Sequence, residues 1–81
     1  MNTFKLTIAR LDKELFSGDI VSLTVPSEGG EMTLLAKHEP IIAKLKSGKR
    51  VFKDSQGNKQ DFELKKGILE MSENQAHILL G

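Results

Sequence analysis

The chain has no cysteine, no tryptophan and no tyrosine. Without cysteine there can be no disulfide staple and no thiolate metal site, and the usage fits a reducing compartment. With four phenylalanines as its only aromatics of the Phe/Trp/Tyr type, it has little from which to build exposed stacking platforms for nucleotide bases or sugars. Charge of one sign is also missing. Twelve Lys and Arg face eleven Asp and Glu, a net charge of +1, which argues against a nucleic-acid partner. No apolar run approaches the roughly 18 to 20 residues that a bilayer-spanning helix needs. No signal-peptide pattern opens the chain. Any membrane association is therefore expected to run through a protein partner, without direct lipid insertion.

What is present is a two-residue period. Phe4, Leu6 and Ile8 alternate with polar residues, as do Val21, Leu23 and Val25, and again Ala76, Ile78 and Leu80. Such alternation predicts strands with one face on a core. Turn signals fall between them at Ser17-Gly18, Glu28-Gly29-Gly30, Ser47-Gly48, Ser55 to Asn58, Lys66-Gly67 and Ser72 to Asn74, where Gly supplies positive φ and Asn, Asp and Ser make local turns. Val51 to Leu64 reads as a hairpin around Asp54 to Asn58. Glu39 to Lys46 reads as a strand in preference to a helical turn, and Phe4 and Phe62 fall on core-facing positions. With 81 residues and no linker or repeat, residues 1–81 are expected to form one small all-β domain, an antiparallel two-sheet sandwich or flattened barrel.

Adjacent apolar pairs interrupt the alternation: Leu34-Leu35, Ile41-Ile42, Ile68-Leu69 and Leu79-Leu80. Neighbours along a strand point to opposite faces, so one member of each pair points away from the core. Either that member folds over an edge or is covered by a loop, or several of them form a patch for a partner. On the second reading, outward residues from Leu35, the Ile41-Ile42 pair and Leu79 share one partner face.

Motifs for chemistry are scarce. His38 and His77 are the only histidines, with no ligand-spaced residues around them to complete a metal site. His38 precedes Glu39-Pro40 at a bend, where a histidine can bond nearby backbone. His77 alternates outward from Ala76 and Ile78. The loop Ser27-Glu28-Gly29-Gly30-Glu31 carries carboxylates where a phosphate cradle needs free amide donors and a following helix. No serine sits in a G-x-S-x-G context. No catalytic site and no cofactor are expected.

Pro26, Gly30, Glu31, Leu35, His38, Pro40, Leu45 and Gly48 follow one another at a spacing that resembles the N-terminal domain of the epsilon subunit of F-type ATP synthases. Leu15-Phe16-Ser17-Gly18 upstream and Lys66-Gly67-Ile68-Leu69-Glu70-Met71 downstream resemble two further motifs of that family, so the likeness covers nearly the whole chain. It departs from the pattern at Thr33, where the family has Gly, at Ala36-Lys37, where Pro-Gly is common, and at Glu39, where Ala is common.

The resemblance implies a sandwich of about ten short strands and a mechanical role. The domain would bind the gamma subunit on one face and meet the polar loops of the membrane c-ring at one end. It would act in the central stalk, on the cytoplasmic face of a bacterial inner membrane, with ATP synthesis carried out by other subunits. Glu31 falls to the ring-facing loop. His38 and the Ile41-Ile42 region fall to the gamma-facing side, with Leu35 and Leu79 as outward apolar contacts. The family usually continues into a two-helix domain that holds ATP and brakes hydrolysis in many bacterial members. This chain stops at Gly81, so no ATP binding is expected of it. The alternative is a free-standing β-domain that binds an oligonucleotide or carbohydrate.

Overall fold

A computed structural model describes residues 2–80, with all their side chains except those of Phe62 and Leu64. Eight strands follow in order: β1 (Phe4–Arg10), β2 (Lys13–Ser27), β3 (Gly30–Leu35), β4 (Ile41–Leu45), β5 (Gly48–Asp54), β6 (Lys59–Leu64), β7 (Gly67–Ser72) and β8 (Gln75–Leu80). The all-β class holds. Among the described residues there are eight strands and not the expected ten, and one of them, β2, runs unbroken for 15 residues.

Ser17-Gly18 is therefore no turn. It lies inside β2, opposite Thr7 and Leu6 of β1. The glycine leaves space for a ring: a Cβ on Gly18 would stand 3.2 Å from Cζ of Phe16. Nor are all pairings antiparallel, since β1 and β8 run parallel, from Lys5 opposite Gln75 to Arg10 opposite Leu80.

The length of β2 builds the sandwich. Its first half pairs with β1 and its second half with β3 on one edge and β5 on the other. One layer is β4-β7-β8-β1 with the first half of β2; the other is β3, the second half of β2, β5 and β6. A bridge from Ser27 to Leu45 ties the end of β2 back to β4. Phe16 from the first layer meets Phe52 from the second, with ring centroids 4.7 Å apart.

The core takes the expected alternating residues Phe4, Leu6, Ile8, Leu23, Val25, Ala76 and Ile78, with Ile20, Leu34, Leu45, Phe52, Leu69 and Met71 beside them. Val21 is only half-buried. A register shift between Ile20 and Ser22 breaks the two-residue period there, so Ile20 takes the inward position. The expectation for Phe62 lies outside the described side chains. One charged side chain joins the core: Arg50 is 0% exposed, and burial pushes its guanidinium down to about 10.

The β5–β6 hairpin forms where Asp54 to Asn58 predicted it. Asp54 Oδ1 accepts hydrogen bonds from the amides of Gln56 and Asn58, both at 2.9 Å. The backbone bond from Asn58, with that from Gln56 and side-chain bonds, holds the Asp54 carboxyl below its ordinary value. On the outward side of this hairpin Lys49 faces Asp61 at 3.7 Å. Charges of this kind protect an edge strand from further pairing.

Candidate partner-binding faces

The outer face of the first layer is read directly from strand register. Ile68 on β7 stands opposite Leu79 on β8, which stands opposite Ala9 on β1. Ile42 on β4 stands opposite Glu70, one pleat away from Ile68. Ile42 is 72% exposed, Leu79 56% and Ile68 48%. Together with half-buried Ala9 they make an apolar band across four strands, bordered by Lys44, Glu70 and His77. An apolar centre with a charged rim is how protein interfaces are composed.

Each apolar pair resolves into an inward and an outward member. Leu34 and Leu69 are buried, while Ile41 and Leu80 pack against the core from its margin. Ile42, Ile68, Leu79 and Leu35 face outward. Of the candidate residues, the structure brings Ile42 and Leu79 onto one face. It does not bring Leu35 there. That residue is opposite Ser22 of β2 and lies on the outer face of the second layer. Ile41 contributes to the core and not to the band.

Ile68 belongs to the band and was singled out only as half of a pair. Leu15, 50% exposed, was legible only as part of a motif. It is the extra residue where the β1–β2 register shifts at Ile8 and Ala9.

Glu31 lies near one end of the sandwich. Gly30 is opposite Ser27, so Glu28-Gly29 is a two-residue hairpin loop and Glu31 already belongs to β3, exposed and opposite Pro26. The Ser27 hydroxyl donates to the carbonyl of Gly30 and closes the loop. Gly30 takes φ 118°, a conformation that L side chains rarely adopt. The same end carries the Lys46-Ser47 and Lys65-Lys66 links and the end of β8, as the pairs Ser27–Leu45, Leu45–Gly67 and Gly67–Leu80 place them.

His38 sits at the opposite end, in the crossover from β3 to β4. Its amide bonds the Leu35 carbonyl at 3.3 Å. Its Nδ1 is 2.7 Å from the Glu39 carbonyl, to which it must donate because a carbonyl only accepts. The bend expected at His38-Glu39-Pro40 is thus closed by local backbone bonds. His77 is exposed on β8 opposite Glu70. Among the described residues, no group of three or more His, Asp or Glu is placed to hold a metal ion.

The fold is a two-layer β-sandwich with an apolar band on the outer face of one layer and a hairpin loop at one end. The beta-sandwich domain of the ATP synthase Delta/Epsilon chain matches residues 3–80, and the chain belongs to that family. Over 80 residues it is 35% identical to the ATP synthase epsilon chain of Xanthomonas euvesicatoria, covering 99% of this chain and 57% of that one. Over 76 residues it is 36% identical to the ATP synthase epsilon chain of Dichelobacter nodosus, covering 94% and 53%. The chain thus spans little more than half the length of these relatives.

Among solved structures, it superposes on a chain of the Euglena gracilis mitochondrial ATP synthase with a TM-score of 0.90 at 22% identity, covering 96% of this chain and 50% of that one. A chain of the Tetrahymena thermophila mitochondrial ATP synthase central stalk and c-ring gives 0.73 at 17% identity, covering 93% and 60%.

Proposed function

We propose that this domain is a non-catalytic rotor module of an F-type ATP synthase. It joins the gamma subunit to the polar loops of the c-ring in the central stalk. The observation that carries the reading is the exposed band Ile42–Ile68–Leu79 on a domain of this family. Apolar residues exposed side by side are removed from water when a partner covers them.

Gamma covers this face, and His38 lies at the crossover end of the same strand system. The hairpin end, with Glu31 exposed beside the Glu28-Gly29 turn, meets the ring. Charges there steer association and set its salt dependence more than its strength. Rotation driven through the membrane ring reaches the catalytic head as torque, and the chemistry of synthesis takes place in other subunits. The site of action is the cytoplasmic face of a bacterial inner membrane, reached through these partners.

Nothing in the described side chains favours the alternative of a base- or sugar-binding module. Phe4 and Phe52 are buried and Phe16 packs against the core. The test is co-purification with the gamma subunit from the same source. A stoichiometric complex is expected. A chain that elutes alone when mixed with folded gamma at micromolar concentration overturns the reading.

A further inference from the structure

We propose that Asn74 is a positioning residue: it fixes the crossover Ala36–Pro40 to the body of the sandwich and so sets how His38 and Ile42 are presented to the gamma subunit. The inference rests on the docking reading above and adds to it a residue outside the docking face.

The crossover joins the two layers. Ala36 packs against the core, but Lys37, Glu39 and Pro40 are exposed. Its bonds at His38 are local, to Leu35 and Glu39; they shape the bend without tying it to other strands. Lys37 also holds a left-handed backbone, φ 65°, which is unfavourable for a residue with a Cβ. A conformation of that kind persists where the surroundings enforce it.

Asn74 supplies the enforcement. Its Oδ1 accepts the amide of Lys37 at 2.7 Å. Its Nδ2 donates to the Thr3 carbonyl at 2.9 Å, and its own carbonyl accepts the amide of Lys5 at 3.3 Å. Both ends of the side-chain amide are matched in kind, acceptor to donor and donor to acceptor, so turning it over would lose both bonds.

Turn chemistry explains why an asparagine can stand there. Ser72 is opposite Gln75, so Glu73-Asn74 is a two-residue loop, with φ 49° and 61°. Two left-handed residues are what a tight β-hairpin loop requires, and asparagine tolerates that conformation better than most residues. Its side chain then lies between the crossover and the start of the chain. Downstream, Pro40 has a fixed φ, so displacement at Lys37 passes on to His38 and the entry of β4.

Two variants separate anchoring of the crossover from general stability. Asn74→Gly keeps the backbone conformation and removes both side-chain bonds. Asn74→Asp keeps an acceptor for Lys37 and removes the donor to Thr3. Amide hydrogen exchange on the isotope-labelled chain should show Lys37 exchanging about tenfold faster in Asn74→Gly and within about threefold of the parent in Asn74→Asp. Leu69 and Ile78 should be unchanged in both. Affinity for the purified gamma subunit should fall about three- to tenfold in Asn74→Gly and hold in Asn74→Asp.

Unchanged exchange at Lys37 in Asn74→Gly overturns the proposal. So does equal loss of gamma affinity in the two variants, which would point to stability through Thr3, or parent-like affinity in both. A parent chain that does not bind gamma takes down the docking reading and this inference together. A parent that binds, with variants that bind equally well, removes this inference alone.

Discussion

A Cβ added to Gly67 would stand 2.6 Å from the carbonyl oxygen of Leu79. The two strands approach that closely where Ile68 and Leu79 lie opposite each other, in the middle of the exposed band. Gly67→Ala must push β7 and β8 apart, against fixed backbone. Overpacking of this kind costs about 1 to 3 kcal/mol, so the urea midpoint should fall. A midpoint equal to the parent's would show that the strands separate without cost.

Ile42 and Ile41 make a matched pair of tests. Ile42 is largely exposed, but aspartate there stands opposite Glu70, so Ile42→Asp should cost about 1 kcal/mol of stability and leave the domain folded. It should weaken gamma binding by about 2 kcal/mol or more, close to thirtyfold, if the residue is a centre of the interface. Ile41 packs against the core, so Ile41→Asp should instead lower thermal stability. Calorimetric titration with gamma and a thermal melt of each variant separate the outcomes. The docking face is elsewhere if Ile42→Asp binds as the parent does.

Lys37 holds a left-handed backbone, φ 65°, which glycine adopts without the steric cost of a Cβ. Lys37→Gly relieves a steric cost at the expense of extra freedom in the unfolded chain. The balance should favour the variant by about 0.5 to 1 kcal/mol, a rise of several degrees in Tm for a domain of this size. A lower Tm would mean that the lysine side chain itself holds the crossover.

Asp54 sets a pH dependence. Its carboxyl is held below the ordinary value of 3.8, first by the Asn58 backbone bond. A depressed folded-state pKa contributes stability above the unfolded value and loses it as pH falls through the folded one. Asp54→Ala should therefore be less stable than the parent at pH 7. The gap should narrow as pH falls below 3.8. Urea melts of both proteins at pH 7 and pH 2.5 measure the gap. A gap that is constant, or wider in acid, would place the contribution of Asp54 in something other than its charge.

The parts of this fold legible in the sequence were those that one strand and its turn specify. Asp54 to Asn58 gave its hairpin because the aspartate can bond the turn amides itself. Phe4, Leu6 and Ile8 gave their inward face because nothing interrupts their alternation. Leu11-Asp12 was missed because a leucine at φ 55° carries no turn signal. Ser17-Gly18 was misread because a glycine that makes room for a phenylalanine ring looks the same in sequence as one that turns the chain.

Arg50 shares the buried face of β5 with Phe52, two residues on, and that spacing is the sign of its burial that the sequence carries. The candidate docking residues show a similar limit. Adjacency along a strand tells that Leu35 and Leu79 point away from the core. It does not tell which layer each belongs to, and long-range pairing sends them to different faces.

Because β2 belongs to both layers, the sandwich resists sliding of one sheet over the other in a way that side-chain packing alone would not. A sideways force on the face that carries Ile42 and Leu79 enters the first half of that strand and leaves through the second along covalent bonds. The domain should therefore transmit shear as a stiff wedge, and compliance in a stalk that contains it would be found at its contacts with its neighbours.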